Sequence, residues 1–255
     1  MNSFFYEFLA KKVRPIELAA VFKKMLFIKR KFFLINDQYW YLDPVSNFGL
    51  RLLKEHKYEP EMTEKILSLL KTGDTFIDLG ANEGYFSILA STKVGNEGKV
   101  HSIEPQNRLW EVILRNINKN GCYNINMIPF AISDKKNELS ISLSPSINTG
   151  SSSIVKESRK KLWKNQKIFS TTLDDLFYKK EITQVCLIKI DIEGYEYFAL
   201  KGAAKLLEMH IIRNILIEFH PAQLSKLGQT VTEIESFLKS YGYIEYNGVY
   251  TCEMN

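Results

Sequence analysis

The chain has 255 residues, 45% of them hydrophobic and 25% charged, a balance that suits a globular protein with a substantial core and excludes collagenous or disordered chains. No apolar run approaches the ~18 residues of a membrane-crossing helix, and three scattered cysteines lack metal-ligand spacing, so a cytoplasmic chain with buried thiols is expected. The net charge of +5 is uneven: residues 1–35 hold eight Lys/Arg against two glutamates, which leaves −1 on the rest, too neutral a body for a nucleic-acid binder.

The basic leader reads as helix over about residues 2–24 and interleaves its charges with Phe4, Phe5, Tyr6, Phe8, Phe22 and Phe27. Two uses fit it: peripheral contact with an anionic inner membrane surface, or packing of the aromatics on the body with the lysines in water, and composition leans to the second. Met25–Ile28 and Lys31–Leu42 have strand composition, broken at Lys29-Arg30 and Asn36-Asp37, and predict a small hairpin ended by Pro44, Asn47 and Gly49. A helix is expected from Pro60 to Gly73. Beyond Asp74, strand-like runs at Thr75–Leu79, Lys99–Ile103, Ile125–Ile132, Val185–Ile190 and Asn214–Phe219 alternate with helical stretches. Among these are one carrying Leu109, Val112, Ile113 and Ile117 on one face, one over Tyr195–Glu208, and one opened by the capping box Thr230-Val-Thr-Glu233. Asn247-Gly248 between Tyr243–Tyr246 and Val249–Cys252 marks a terminal hairpin.

This order predicts an α/β fold: a doubly wound, mostly parallel, Rossmann-like three-layer sandwich closed by an antiparallel hairpin. Residues 1–56 form a basic and aromatic N-terminal extension, and 57–255 the main domain, with an insertion at about 134–182.

The motif richest in chemistry is Phe76-Ile-Asp-Leu-Gly-Ala-Asn-Glu-Gly-Tyr-Phe86, a strand, a glycine-bearing turn and a helix start. In an open α/β sheet a ligand sits at the carboxyl ends of the strands, where Gly80 and Gly84 permit a tight turn and close approach. The spacing Asp78-x-Gly80-x-Asn82-x-Gly84 differs from the dinucleotide fingerprint. An acid at Asp78 would repel a pyrophosphate but suits a cationic ligand such as S-adenosylmethionine, with its sulfonium and ammonium. Glu104 ends the next strand and is placed to accept two ribose hydroxyls.

With Glu104-Pro105, Thr172-Leu-Asp-Asp-Leu176 and Lys189-Ile-Asp-Ile-Glu-Gly-Tyr-Glu196 following in order, the chain resembles the FkbM-type class I methyltransferases. Lys57-Tyr-Glu-Pro60, Lys71-Thr-Gly-Asp74, Lys201-Gly202 and Ile217-Glu-Phe-His220 are further landmarks, and the resemblance spans about residues 37–245. It implies the class I methyltransferase fold and methyl transfer from S-adenosylmethionine, usually to a hydroxyl of a sugar, glycan or natural product. It also implies that Gly80, Asn82 and Gly84, with Glu59, Ala81, Tyr85 and Phe86 beside them, surround the methionine part. Glu104 would take the ribose and Pro105 the adenine edge, with Phe130-Ala131 closing over the base.

An acceptor hydroxyl must lose a proton, and the base belongs at the carboxyl edge of the sheet. Asp191 ends the fourth strand and Glu193 follows it, while Glu218 and His220 share a face after the fifth. Asp191 either takes the proton, caps the next helix or holds the cofactor's ammonium; His220 is the other candidate base, and Glu193 a positioning residue. Asp191, Glu193, Glu218 and His220 are also donors of the type Mg²⁺ or Mn²⁺ takes, although no spacing demands a metal. The Ser-rich stretch Asn148–Ser153 and the cluster Lys156, Arg159, Lys160, Lys161, Trp163, Lys164, Lys167 read either as a lid with an acceptor groove or as a solvated connector.

Overall fold

The computed structural model describes residues 16–154, 163–178 and 184–252. In chain order they form α1 (Ile16–Met25), β1 (Lys31–Ile35), β2 (Gln38–Leu42), α2 (Asn47–Glu55), α3 (Pro60–Leu69), β3 (Thr75–Leu79), α4 (Tyr85–Val94), β4 (Lys99–Ile103) and α5 (Asn107–Asn120). Then follow β5 (Ile125–Ile128), β6 (Ala131–Ile132), β7 (Asn137–Leu143), β8 (Lys164–Thr171), β9 (Val185–Ile190), α6 (Glu196–Lys201), α7 (Ala204–Glu208) and β10 (Ile212–Ile217). Helices α8 (Pro221–Lys226) and α9 (Val231–Ser240) lead to the hairpin β11 (Ile244–Tyr246) and β12 (Val249–Thr251).

The main sheet has the order β11-β12-β10-β9-β3-β4-β5. Strands β10, β9, β3, β4 and β5 run parallel, and the terminal hairpin joins β10 antiparallel. This is the doubly wound class I methyltransferase fold. The chain steps outward from β3 through β4 to β5, then returns to the other side of β3 as β9, so a crevice opens at the carboxyl ends of β3 and β9. Period-two alternation supplies two cores. Ile77, Leu79, Ile188, Ile190 and Ile215 pack on one face, and Phe76, Val100, Leu187 and Leu216 on the other.

The N-terminal hairpin joins the second of these cores through Trp40 and Leu42. Its edge is satisfied by two asparagines one turn apart on α5: Asn116 accepts from the Tyr41 N–H at 2.7 Å, and Asn120 accepts from the Tyr39 N–H at 2.8 Å.

Several boundaries differ from expectation. Met25–Ile28 is the end of α1 and a turn rather than a strand: Ile28 N–H returns to Lys23 O and Phe27 N–H to Lys24 O, closing the helix with Phe27 left-handed. Pro44–Gly49 leads into α2, whose N-cap Ser46 accepts from Gly49 N–H at 2.9 Å. The single strand expected over Ile125–Ile132 splits at Pro129, which has no N–H for the ladder. Ile125–Ile128 stays in the main sheet, and Ala131–Ile132 joins β8 and β7 in a second, three-stranded sheet. The helix expected over Tyr195–Glu208 divides into α6 and α7, because Asp174 accepts from the N–H groups of Lys205 and Leu206 and caps a new start there.

Candidate active site

The turn after β3 is built against the end of β9. Gly80 has φ 78°, and a Cβ there would lie 1.9 Å from the carbonyl oxygen of Asp191. Packing as well as conformation therefore demands glycine. Gly84, at φ 84°, meets only Ile113 at 3.5 Å. Gly80→Ala is expected to cost on the order of 3 kcal/mol or more, against about 1–2 kcal/mol for Gly84→Ala; urea melts of the two variants check the order.

Beneath this turn, the register places Asp78 directly opposite Lys189 on the apolar face. Both are buried. Ser87 donates to Asp78 at 2.7 Å, and the Lys189 ammonium lies 3.5 Å from Asp78 and 3.2 Å from Asp191 while donating to Gly80 O at 3.3 Å. Burial opposes the Lys189 charge, but Asp191 and Asp78 outweigh it and hold the ammonium above its ordinary range. Asp78, expected as a direct partner of a cationic ligand, lies outside the lining of the two cavities described below. Its carboxylate is fully buried and faces Lys189, which carries the strut from Asp78 to Asp191 and the Gly80 carbonyl. Gly84 shapes the turn and lies outside the lining of the two cavities described below.

Two cavities meet over the turn. The first is lined by Gly80, Asn82, Glu104, Pro105, Phe130, Ala131, Asp191 and Glu193 among others. The second is lined by Glu59, Gly80, Ala81, Asn82, Tyr85, Phe86, Asp191, Glu193, Glu218 and His220, with Lys189 at its floor. Gly80, Asn82, Asp191 and Glu193 belong to both.

In the first cavity Glu104 is buried, and its two oxygens accept from the N–H groups of Asn82 and Gln106, each at 2.9 Å. Trp110 pins its carbonyl at 2.8 Å. Burial pushes the Glu104 carboxyl up to about 7 against the pull of those two N–H groups. In the second, Glu59 sits at the N-cap of α3 in a left-handed conformation but gives that helix no side-chain cap. One of its carboxylate oxygens is instead buried without a hydrogen-bond partner, and burial raises its pKa, with the Asp191 charge adding to the shift. A buried acid of this kind suits a ligand cation, and the Glu104 wall suits a ligand diol.

His220 is the N-cap residue of α8, a helix signalled by Pro221 at its first position. Its Nδ1 lies 3.0 Å from Glu196, and its Nε2 3.8 Å from both Asp191 and Glu193. Burial opposes the imidazolium, but the hydrogen bond to Glu196 and the charges of Glu193 and Asp191 outweigh it and raise the pKa to about 9.

A sequence model of the methyltransferase FkbM domain matches residues 78–245, and one of protein-L-isoaspartate(D-aspartate) O-methyltransferase matches residues 7–135. The chain belongs to the FkbM methyltransferases. It is 21% identical over 179 residues to the hexuronic acid methyltransferase AglP of Haloferax volcanii, covering 69% of this chain and 70% of that protein. Among solved structures it is similar to the precorrin-6y C5,15-methyltransferase of Geobacter metallireducens (16% identity, TM-score 0.44, 75% of this chain and 76% of that one). A SAM-dependent methyltransferase of Aquifex aeolicus is similar as well (16%, TM-score 0.41, 78% and 89%). This FkbM chain is therefore a methyltransferase.

Three side chains that hold this FkbM site together were given no site role from the sequence: Glu196, Arg30 and Arg108. Glu196 orders both His220 and the Gly194 N–H. Arg30 forms a two-pronged pair with buried Glu83, at 2.6 and 2.8 Å, and so ties the N-terminal segment to the glycine turn. Arg108 bridges Gln106 to Ser144 and Ser152. Through it the Ser-rich loop becomes a buried roof rather than a solvated connector, with Thr149 donating to Asn82 at 2.9 Å and Ser153 to Glu193 O at 2.8 Å. Of the basic cluster, Lys156, Arg159, Lys160 and Lys161 lie outside the described residues, and Lys167 pairs with Glu138 on the surface of the second sheet. Among the described residues no His/Cys/Asp/Glu group has metal-holding geometry, and no helix is long and apolar enough to cross a membrane.

Proposed function

We propose that this methyltransferase acts on a hydroxyl of a sugar or related polar acceptor held in the second cavity, and that Asp191 receives the hydroxyl proton. The observation that carries this reading is the junction of the two cavities. Asp191 and Glu193 line both, so a group that bridges donor and acceptor must pass these carboxylates. S-adenosylmethionine, when bound, supplies a methyl group on a positively charged sulfur that is already activated for displacement.

The remaining work falls to the chain. Glu104 receives the ribose hydroxyls, with Pro105, Phe130 and Ala131 against the adenine; Glu59 receives the ammonium. Lys189 holds the Gly80 carbonyl and Asp191 in place from below. Asn148 and Ser151 of the roof face the second cavity and offer hydrogen bonds to an acceptor rich in hydroxyls. A hydroxyl that took up this methyl group would release its proton, and Asp191 is the carboxylate placed to receive it. Imidazolium His220 does not accept it at neutral pH; it balances the charges of Asp191 and Glu193 and fixes their orientation. The name of the Haloferax volcanii relative adds support for a sugar-acid acceptor.

Incubation with methyl-labelled cofactor and a panel of hexuronic acids, neutral sugars and their glycosides tests the proposal. A labelled product stable to mild alkali is the expected methyl ether. An alkali-labile product would mean carboxyl methylation, and labelling of amines alone would overturn the hydroxyl assignment.

A further inference from the structure

The described part of the leader inverts the pattern expected of a packed amphipathic helix. Leu18, Val21, Phe22 and Met25 recur at the spacing of one helical face, yet they are 46%, 53%, 45% and 67% exposed. Leu26 and Phe27 continue this surface, and Phe27 is 82% exposed. The cations that turn inward are Lys23, paired with buried Asp43 and donating to Ser146 at 3.4 Å, and Arg30, paired with Glu83. Those two pairs and buried Ile28 fix the segment to the body and leave its apolar row outward. Lys24, Lys29 and Lys31 stay exposed beside that row.

Phe27 adds a second observation. It occupies the left-handed position that closes the helix, φ 52°, where glycine is the usual residue and a bulky side chain is strained. The strain aims the largest apolar side chain of the turn into solvent, which suits a contact that packing within the chain does not supply.

We propose that the outward face of α1 and the turn after it dock on an anionic membrane surface, with the apolar row entering the headgroup boundary and Lys24, Lys29 and Lys31 meeting lipid phosphates. Charge selects this occupant over a second copy of the chain. Across a two-fold interface the three lysines would face their own equivalents, whereas residues 1–35 are strongly positive and the remainder carries a net −1. The Lys23–Ser146 contact sets the helix beside the loop that roofs both cavities, so a membrane docked there lies next to the site.

Sedimentation of the full chain with vesicles tests this without any need for the acceptor. Vesicles of phosphatidylcholine containing about a third phosphatidylglycerol are expected to pellet the protein, pure phosphatidylcholine vesicles to do so far less, and rising salt to release it. Each of Lys24→Gln and Lys29→Gln should lower partitioning about fivefold. Phe27→Gly should lower it roughly tenfold while leaving the melting temperature unchanged or raised, because glycine relieves the left-handed turn. A ring that served only internal packing would give the opposite, a lower melting temperature with unchanged partitioning. Absence of pelleting with anionic vesicles, equal pelleting with neutral ones, or a dimer in sedimentation velocity that Phe27→Gly dissolves would overturn the proposal.

Discussion

Asp191→Asn is expected to lower kcat by roughly 10²–10⁴-fold, the range for loss of a positioned general base, while the fold survives. Survival follows from the geometry. Gly80 packs on the Asp191 backbone rather than its side chain, and Lys189 keeps Asp78 and the Gly80 carbonyl as partners. Calorimetry with S-adenosylmethionine separates the two parts open to this carboxylate: a loss of affinity at unchanged kcat would assign it to the cofactor's ammonium. Glu218→Gln is the comparison. Glu218 lines the second cavity but not the first, and its pKa is raised by burial, then by Asp191 and Glu59. If that variant lost turnover and Asp191→Asn did not, Glu218 would be the base.

The pH profile gives an independent reading. His220 has its pKa raised to about 9, so the imidazolium and its pairing with Glu196 are fully present below the ordinary histidine range and are lost as pH rises through about 9. With Asp191 as base and charged His220 as its positioner, kcat should fall across that pH. With His220 as base it should rise there. His220→Gln should remove the alkaline limb in either case, and the direction of the wild-type limb decides between the two.

Much of this site was legible before the fold. The succession of strands and helices follows from alternating apolar runs, and Glu104 and Asp191 are recognisable because an acid at the end of a buried parallel strand has little reason to be there unless a ligand or a charge meets it. What escaped depends on contacts between distant segments. Asp78 reads as a ligand acid until the β3–β9 register sets Lys189 opposite it, 111 positions later in the chain. His220 has the intrinsic pKa of a neutral base until Glu196, Glu193 and Asp191 surround it. Phe22 and Phe27 look like core residues by composition, and only the fold shows Lys23 and Arg30 facing inward instead. Local pattern specifies elements; the charge state of a buried cluster is a property of the assembled sheet edge.

Glu104→Ala should weaken S-adenosylmethionine binding by about 2–3 kcal/mol, the scale of hydrogen bonds to a charged acceptor, with calorimetry as the measurement. The carboxylate serves twice, since its oxygens already accept from Asn82 and Gln106 and their remaining lone pairs face the first cavity. The alanine variant therefore also strands two N–H groups, and Glu104→Gln keeps part of that scaffold as a control. A pH dependence distinguishes ligand contact from scaffolding. Burial holds the free carboxyl near 7, above its unfolded value, so the folded protein binds this proton more tightly than the unfolded chain does. The stability linked to that proton is present at low pH and lost as pH rises from the ordinary glutamate range through about 7. A diol that donates to the ionised form reverses the preference and drives the proton off. Wild-type affinity should then weaken as pH falls below about 7, by up to about tenfold per unit, and the dependence should vanish in Glu104→Gln, where no proton is exchanged. Equal affinity for wild type and Glu104→Ala at pH 8 would remove the ribose contact from this residue and leave it as the tie between the glycine turn and the start of α5.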